Sequence, residues 1–293
     1  MIVVTGGAGF IGSNLVKYLN SEGFTDILII DDVTDSRKLD TLSKLQFTAY
    51  RDVDSINWKT LRSEWIDKVF HIGGISSTTE TDGKKLMEYN YTHTLNWSYF
   101  CHSQKIPLVY TSSASVYGNC ETFRECDTLN PLNAYAQSKK LSERIPQDNA
   151  WIFRPFNVYG MGEDHKDSQM SPVSKFHKQF KETGKVTLFD GSDRIQRDFI
   201  CVDDVVKILV NHTDKNPGTY NLGTGSTRSF LELAEMITDN IEYIPMPSNL
   251  LGKYQYYSKA DTTKLRQNLI GEYSFITPEL YYDYFKRVNA RQP

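Results

Sequence analysis

Residues 3–12 read VVTGGAGFIG, in which an apolar run passes into glycines at every third position. An apolar strand, a glycine turn and an apolar helix start, in that order, form the phosphate cradle of dinucleotide-binding domains. Gly6 permits the tight turn, Gly9 lets the backbone approach a pyrophosphate, and Gly12 lets the helix pack closely on the strand. The free N–H groups and positive dipole of a helix N-terminus complete such a cradle. The stretch therefore predicts a bound dinucleotide.

The end of the next apolar run bears on which dinucleotide is bound. It carries Asp31 and Asp32, about twenty residues beyond the glycines, where an acid usually holds the ribose 2′-hydroxyl of NAD. Arg37 and Lys38 follow closely and can instead neutralise the 2′-phosphate of NADP, or remain solvated loop charges. The residues alone leave NAD and NADP open.

Short apolar runs alternate with longer helix-like segments through the first half of the chain. Strands are predicted at residues 1–5, 27–30, 68–72, 106–111 and 151–156, and helices at 9–19, 81–102 and 134–145. Such alternation indicates an α/β fold with a doubly wound parallel (Rossmann) sheet and a smaller C-terminal substrate lobe. We expect the dinucleotide-binding domain at residues 1–157 with 198–223, and the substrate-binding lobe at residues 158–197 with 224–293.

The predicted lobe has its own helix signals. A helix is expected near residues 173–181, and another closes the chain at 278–288. Ser229 and Glu232 have the spacing of a capping box, which predicts a helix start between them.

Composition excludes several functions. The 293 residues include 39% hydrophobic side chains, enough for one large domain or a domain with a lobe. The net charge of −3 offers no basic face for nucleic acid, and no apolar run is long enough to cross a bilayer. The 4 cysteines show no C-x-x-C spacing and no nearby histidine pattern. We therefore expect reduced thiols, no metal site and a cytoplasmic protein.

A tyrosine and a lysine on the third predicted helix carry the expected chemistry. Tyr135 and Lys139 are four residues apart, so they share one helix face. A nearby ammonium and an oxidised nicotinamide both favour the phenolate, so we expect the pKa of Tyr135 to be lowered. Residues 111–115 (TSSAS) end a predicted strand at the sheet edge where such folds place their sites. A serine there can hydrogen-bond a reacting oxygen. Together, the tyrosine, the lysine and the serine predict hydride transfer at a hydroxyl carbon.

In this order the motifs resemble those of the extended short-chain dehydrogenase/reductase superfamily, over nearly the whole chain. The resemblance implies that Ser113, Tyr135 and Lys139 are catalytic. Ser112 and Ser115 are near alternatives to the serine. It also implies cofactor contacts from the glycine loop, the strand ends and the neighbouring helices. These residues are Gly6, Gly9, Phe10, Ile11, Gly12, Asp31, Asp32, Lys38, Ile72, Gly73, Gly74, Ile75, Ser76, Asn90, Tyr135, Lys139 and Val158.

Further stretches narrow the resemblance. Residues 76–83 (SSTTETDG), 165–166 (HK), 196–199 (QRDF) and 241–247 (IEYIPMP) are similar to those of the 6-epimerases that act on ADP-activated heptose. That family implies bound NADP, an ADP-heptose-type nucleotide sugar as substrate, a homo-oligomer and a place in lipopolysaccharide core biosynthesis. Hydride leaves and returns at C6″ with no net redox change.

Returning hydride to the other face of a ketone calls for a second proton carrier. In the resembled family a lysine in a His-Lys loop has this role, and it corresponds to Lys166. Taken without the resemblance, Lys166 is more simply a solvated loop charge.

Substrate contacts are also implied by the resemblance. They are Ser76, Ser113, Asn157, Ser168, His177, Phe189, Asp190, Gly191, Ser192, Arg197 and Tyr254. Arg197 suits a diphosphate because a guanidinium makes paired hydrogen bonds to phosphate oxygens. Its alternative is an ion pair with Asp198 or Asp203.

Some alternatives stay open. Asp32 stands where the resembled family tends to have asparagine, and Val53 where a lysine often binds the 2′-phosphate, so NAD remains possible. Another nucleotide-sugar epimerase, such as a UDP-hexose 4-epimerase, would share the scaffold. A non-catalytic dinucleotide-sensing module is disfavoured because the serine, tyrosine and lysine are all present.

Overall fold

The computed structural model describes residues 1–214, 216–247 and 255–289, the side chains of residues 168 and 284–289 excepted. The strands are β1 (Ile2–Thr5), β2 (Ile27–Asp31), β3 (Ala49–Asp52), β4 (Lys68–His71), β5 (Leu108–Thr111), β6 (Ala150–Pro155), β7 (Asn157–Tyr159), β8 (Val186–Phe189), β9 (Gln196–Cys201), β10 (Gly218–Leu222), β11 (Thr227–Ser229), β12 (Ile241–Ile244) and β13 (Tyr257–Ser258). The helices are α1 (Phe10–Ser21), α2 (Ser36–Leu42), α3 (Trp58–Leu61), α4 (Gly83–Leu86), α5 (His93–Gln104), α6 (Ala134–Ser142), α7 (Pro172–Thr183), α8 (Val202–Asn211), α9 (Phe230–Glu235), α10 (Thr263–Leu265) and α11 (Pro278–Asn289). Short 3-10 turns cover Val53–Ser55, Ala114–Tyr117 and Asp164–Gln169, and π-turns cover Met87–Thr92 and Arg266–Ile270.

The larger sheet confirms the predicted Rossmann fold. Its strands run parallel in the order β10-β6-β5-β4-β1-β2-β3. Strand β2 (ILIID) is buried throughout, because a parallel sheet carries helices on both faces. The strand order reverses between β1 and β4, and open α/β sheets bind ligands in the crevice at such a point.

Alternate strand residues pack into two cores, one on each face of this sheet. Ile29 points to a core completed by α1 and α8, and Leu28 points to a core completed by Trp97 and Phe100 of α5. All four side chains are at most 3% exposed, and burying one of this kind stabilises the fold by roughly 1.5–3 kcal/mol. These two cores hold the carboxyl ends of β1, β2, β4 and β5 in fixed positions.

A smaller sheet is built around β9. It pairs with β7 and β13 in parallel and with β11 antiparallel, while β8 and β12 form a separate pair. The predicted division of the chain grouped residues 198–201 with the dinucleotide domain, whereas β9 pairs here with strands assigned to the lobe. Strand β10, which follows α8 in the chain, belongs to the large sheet and pairs with β6. The division into two domains stays a prediction.

Some of the predicted helix boundaries are confirmed and others are wrong. The capping box at Ser229 and Glu232 is formed and begins α9, as predicted. The predicted helix over 81–102 is interrupted by the π-turn Met87–Thr92, and the third helix ends at Ser142, before the predicted 145. In the described part of the chain, no helix has the length and apolarity that a bilayer crossing needs.

Candidate active site

The glycine turn between β1 and α1 has no room for side chains. Gly6 has φ +69°, and a Cβ there would lie 2.6 Å from the Cα of Gly73, in the loop after β4. A Cβ on Gly12 would collide with the carbonyl oxygen of Gly6. The N-cap of α1 is Gly9, which makes no side-chain cap, and Phe10 and Ile11 begin the helix. The five predicted residues of the cradle therefore lie together, with helix N–H groups available to an anion.

Asp31 fastens this turn to the end of β2. Its Oδ2 accepts a hydrogen bond from the N–H of Ala8 at 2.8 Å, and its Oδ1 accepts one from Lys38 Nζ at 2.9 Å. Lys38 also donates to the carbonyl of Asp32, whose side chain accepts from the N–H of Thr34. The predicted contacts Asp31, Asp32 and Lys38 thus form one charged group beside the cradle.

Arg37, the other basic residue in this loop, is committed elsewhere. It binds the carboxylate of Asp35 at 2.7 Å and that of Asp167, in the turn Asp164–Gln169, at 2.8 Å. A second bond joins Nη2 to Asp167 at 3.0 Å. The guanidinium therefore links α2 to the turn that carries Lys166.

Asn90 holds the loop after β4 against the helix that carries Tyr135. Its Oδ1 accepts from the N–H of Ile75 at 2.8 Å, and its Nδ2 donates to the carbonyl of Ile75 and to Ser138 Oγ. Ser138 in turn donates to the carbonyl of Tyr135 at 2.7 Å. Asn90 lies in the π-turn, a conformation frequent at functional sites. This loop contains the predicted contacts Ile72, Gly73, Gly74 and Ile75, and the exposed Ser76 follows it.

Ser113, Tyr135 and Lys139 lie together at the carboxyl end of β5. Tyr135 is buried, and the side chain of Ser113 lies close enough to stabilise its phenolate. Lys139 Nζ donates to the carbonyl of Thr111 at 3.0 Å and lies 5.0 Å from the ring centre of Tyr110. The geometry suits a proton-transferring phenol with a serine beside it.

The pKa of the phenol depends on the groups around it. Burial raises the pKa of Tyr135, and the side chain of Ser113 lowers it only in part. Burial also lowers the pKa of Lys139 to about 8, although the carboxylate of Glu143 opposes this. The pKa of the phenol is therefore raised by the chain's own groups, because desolvation outweighs the attractions that they supply. The expected lowering, which counted an oxidised nicotinamide as well, stays a prediction.

Lys166 is brought to the glycine turn by the turn Asp164–Gln169, which lies far along the chain. Its Nζ lies 5.1 Å from the ring centre of Phe10 and 3.7 Å from Oε2 of Glu163. Burial lowers its pKa, while Glu163 opposes the shift. Lys166 is therefore a desolvated ammonium beside the cradle, unlike a solvated loop charge.

Predicted substrate contacts occupy several elements around this edge. Asn157 begins β7 and donates to the carbonyl of Asp198 at 3.0 Å, and Val158 follows it in the same strand. Arg197, in β9, is buried and donates to the carbonyl of Gln196. His177 lies on α7, its ring 6.4 Å from that of Tyr282.

A cleft lies beyond the end of β8. Phe189, Asp190, Gly191 and Ser192 form the turn there, and Ser192 Oγ donates to the carbonyl of Phe189 at 2.7 Å. A cavity of about 540 Å³ is lined by Asp190, Gly191, Arg194, Pro245, Met246 and Tyr256. Ser168 lies in the turn Asp164–Gln169, but its side chain is not among those described. Tyr254 lies outside the described residues.

Two buried carboxylates near the site were missed from the sequence. Glu143, one helical turn after Lys139, accepts from Ser112 Oγ at 2.5 Å and pairs with Arg154 at 2.7 Å. Glu143 lies four residues after Lys139, and this helical spacing could have identified it from the sequence. Glu163 accepts a hydrogen bond of 2.6 Å from the N–H of Ser171, which lies eight residues further along the chain. No local pattern distinguishes Glu163 from an ordinary loop acid, because its partners come from other elements.

The chain is similar to known proteins over most of its length. The model of the NAD dependent epimerase/dehydratase family matches residues 2–223. An ADP-L-glycero-D-manno-heptose-6-epimerase from Brachyspira hyodysenteriae is 42% identical over 289 aligned residues, covering 91% of each chain. This relative confirms the resemblance predicted from the sequence.

Solved structures share the fold. The ADP-L-glycero-D-manno-heptose-6-epimerase of Helicobacter pylori has a TM-score of 0.86 at 23% identity, covering 99% of this chain and 96% of that one. A variant of the UDP-glucuronic acid 4-epimerase of Bacillus cereus, in complex with NAD and a fluorinated sugar nucleotide, has a TM-score of 0.81 at 24% identity, covering 98% and 99%. From the family match and the extent of the curated relative's identity, the chain belongs to the NAD dependent epimerase/dehydratase family.

Proposed function

We propose that this protein is an ADP-glyceromanno-heptose 6-epimerase, which interconverts ADP-D-glycero- and ADP-L-glycero-D-manno-heptose by transient oxidation at C6″. The similarity to the Brachyspira enzyme, at 42% over 91% of the chain, supports the substrate. The observation that carries the proposal is the pair Tyr135, which is buried, and Lys166, which is partly buried against Phe10 of the cradle. An epimerisation that returns hydride to the opposite face needs a proton carrier for each orientation of the oxygen.

The chain's own residues divide the work. Tyr135 takes the proton of the C6″ hydroxyl, while Ser113 donates a hydrogen bond to the same oxygen. Lys139 supplies a positive charge that favours the phenolate. After the carbonyl has turned and hydride has returned, Lys166 gives one of its own ammonium protons to the oxygen in its new position. Tyr135 then loses its proton to solvent and Lys166 regains one, which restores both groups. When bound, the nicotinamide dinucleotide supplies the acceptor and donor of hydride, and the glycine cradle of Gly6 and Gly12 fits its pyrophosphate because a Cβ would fill that space.

We propose NADP as the dinucleotide, with NAD as the alternative. Lys38 supports NADP because its ammonium lies at the end of β2, where the 2′ position of the ribose is read. Asp31, Asp32 and Asp35 support NAD, because three carboxylates repel a 2′-phosphate. Mass spectrometry of the nucleotide that co-purifies with the protein separates the two.

The remaining substrate contacts are part of the same proposal. Asn157, Arg197 and the turn Phe189–Ser192 are proposed to hold the ADP-heptose, together with His177, Ser168, Ser76 and Tyr254. Arg197 is proposed for the diphosphate, since its side chain is buried and a guanidinium pairs with phosphate oxygens. We also propose a cytoplasmic homo-oligomer acting in lipopolysaccharide core biosynthesis, for which light scattering of the purified protein tests the assembly.

A panel of sugar nucleotides tests the function. Purified protein is expected to equilibrate the two C6″ epimers of ADP-heptose and to leave UDP-glucose and UDP-glucuronic acid unchanged. Tyr135→Phe is expected to reduce the rate by roughly 10²–10⁴-fold while the dinucleotide still binds, because the general acid–base group is removed. Full activity of that variant would contradict the assignment. Turnover of a UDP-hexose instead would favour the 4-epimerase reading, to which the shared fold also points.

A further inference from the structure

Glu163 is a buried carboxylate at the junction of the two lobes. Its side chain is 2% exposed, and it follows β7 directly before the turn Asp164–Gln169. Burying a carboxylate is costly unless hydrogen bonds and charge compensate it. Glu163 therefore needs partners that compensate for its desolvation, and those partners indicate its role.

The carboxylate of Glu163 collects donors from three places along the chain. Oε1 accepts from the N–H of Gly160 at 3.3 Å and from the hydroxyls of Ser171 and Ser174, each at 2.7 Å. Oε2 accepts from the N–H of Ser171 at 2.6 Å. Ser171 is also the N-cap of α7, so Glu163 joins the end of β7 to the start of that helix.

Lys166 completes this group. Its Nζ lies 3.7 Å from Oε2 of Glu163, and its backbone N–H donates to the Glu163 carbonyl at 2.8 Å. The same ammonium lies over the ring of Phe10, the first residue of α1. The side chain is thus held between a fixed carboxylate and the glycine turn.

We propose that Glu163 is a positioning residue for Lys166: it holds the ammonium facing the dinucleotide cradle and stabilises its positive charge. This rests on the proposed function of Lys166 as the second proton carrier. A carboxylate serves here where a serine would not, because a negative charge 3.7 Å away stabilises the ammonium against the cost of its burial.

The pKa of Lys166 depends on its burial and on the charges of neighbouring groups. On the Lys166 pKa, burial acts downward and Glu163 acts upward. In the same turn, His165 faces Lys166 and also Lys38, Asp35 and Arg37 of the α2 region. From α11, Tyr281 faces Glu163 and Asp164. From α1, Phe10 contributes an uncharged ring. Removing the charge of Glu163 must therefore lower the Lys166 pKa.

The decisive variant is Glu163→Gln. A glutamine carbonyl can accept from the N–H of Ser171, and the amide can donate to a serine hydroxyl, so the fold has replacements for most bonds. Glu163→Asp keeps the charge on a shorter side chain. The matched control is Glu232→Gln, which removes a carboxylate that caps α9. Unfolding midpoints show which variants are folded.

The readout is the titration of Lys166 in the full-length protein labelled with ¹³Cε-lysine, its NMR signal assigned by its absence in Lys166→Arg. We expect Glu163→Gln to lower the Lys166 pKa by about one pH unit or more, and Glu232→Gln to leave it unchanged. Glu163→Asp should lie closer to the parent. An unchanged Lys166 pKa in folded Glu163→Gln would overturn the proposal.

Kinetics provide a second readout. In Glu163→Gln the limb of the kcat–pH profile that reports protonated Lys166 should move to lower pH, with KM for ADP-heptose nearly unchanged. A uniform loss at every pH would mean a structural role only and would overturn the proposal. A parent protein without 6-epimerase activity, but with the expected NMR shift, would reject the proposed function and leave the Glu163–Lys166 contact standing.

Discussion

At the scale of single residues, Gly6 is where backbone conformation and close packing both act. Its φ of +69° disfavours any side chain, and a Cβ would also press on the backbone of Gly73 at 2.6 Å. Gly23 has a similar φ of +87°, but a Cβ there would meet nothing within 4 Å. Gly6 therefore combines an unfavourable φ for a side chain with a close contact, whereas Gly23 has the unfavourable φ alone.

Gly6→Ala and Gly23→Ala make a matched pair. We expect Gly6→Ala to weaken NADP binding by about tenfold or more, since the β1 turn and the β4 loop must move apart. Gly23→Ala should cost about 1 kcal/mol of unfolding free energy through strain, with unchanged dinucleotide affinity. Calorimetric titration and urea unfolding measure both. Equal NADP affinity in the two variants would argue against a cradle at Gly6.

At the scale of elements, the connection from β2 through α2 contains two cations with different partners. Lys38 binds Asp31 at the strand end, whereas Arg37 is held by Asp35 and Asp167. A guanidinium already engaged by two carboxylates contributes little to a new phosphate, while the Lys38 ammonium lies at the end of β2, where a 2′-phosphate would be read.

Lys38→Gln and Arg37→Gln should therefore differ in dinucleotide affinity. If NADP is bound, Lys38→Gln is expected to weaken it by about tenfold or more and NAD by much less, since a charge-assisted hydrogen bond is lost. Arg37→Gln should alter the two affinities equally and slightly. Dissociation constants for NADP and NAD check this in each variant. A loss of NADP affinity confined to Arg37→Gln would contradict the assignment.

At the scale of the whole molecule, a buried ion pair joins α6 to the large sheet. Glu143 and Arg154 have side chains 8% and 5% exposed, with N and O 2.7 Å apart. Arg154 continues to Tyr117 at 2.8 Å, and Tyr117 to Asn221 of β10 at 2.7 Å. The helix of Tyr135 is thus connected to the far strand of the sheet.

Glu143→Gln should unfold at lower urea concentration, because it leaves the charge of Arg154 buried and unpaired. We expect a loss of about 3–5 kcal/mol in unfolding free energy. Glu242→Gln breaks an exposed pair with Lys185 of the same 2.7 Å length and should change little. A similar loss in both variants would mean that burial does not set the effect.

Much of the fold could be predicted from local pattern. Strands β1, β2, β4, β5 and β6 are apolar runs, and the Gly6–Gly12 spacing identifies the turn after β1. The short strands β3 and β7 and the helices α2 and α8 were missed, since their burial depends on partners far along the chain. The cradle and the pair Tyr135 and Lys139 were found because each is a short residue spacing that is typical of a known chemical role.

The sequence by itself determined the Rossmann sheet, the glycine cradle and the spacing of Tyr135 and Lys139, because each depends on neighbours within a few residues. Tertiary structure alone decided that Lys166 lies over Phe10, that Glu163 holds it, and that Arg37 is engaged by Asp167. It also decided that the Tyr135 pKa is raised. Desolvation and ion pairing depend on distances between segments remote in the chain, and no local pattern encodes those distances.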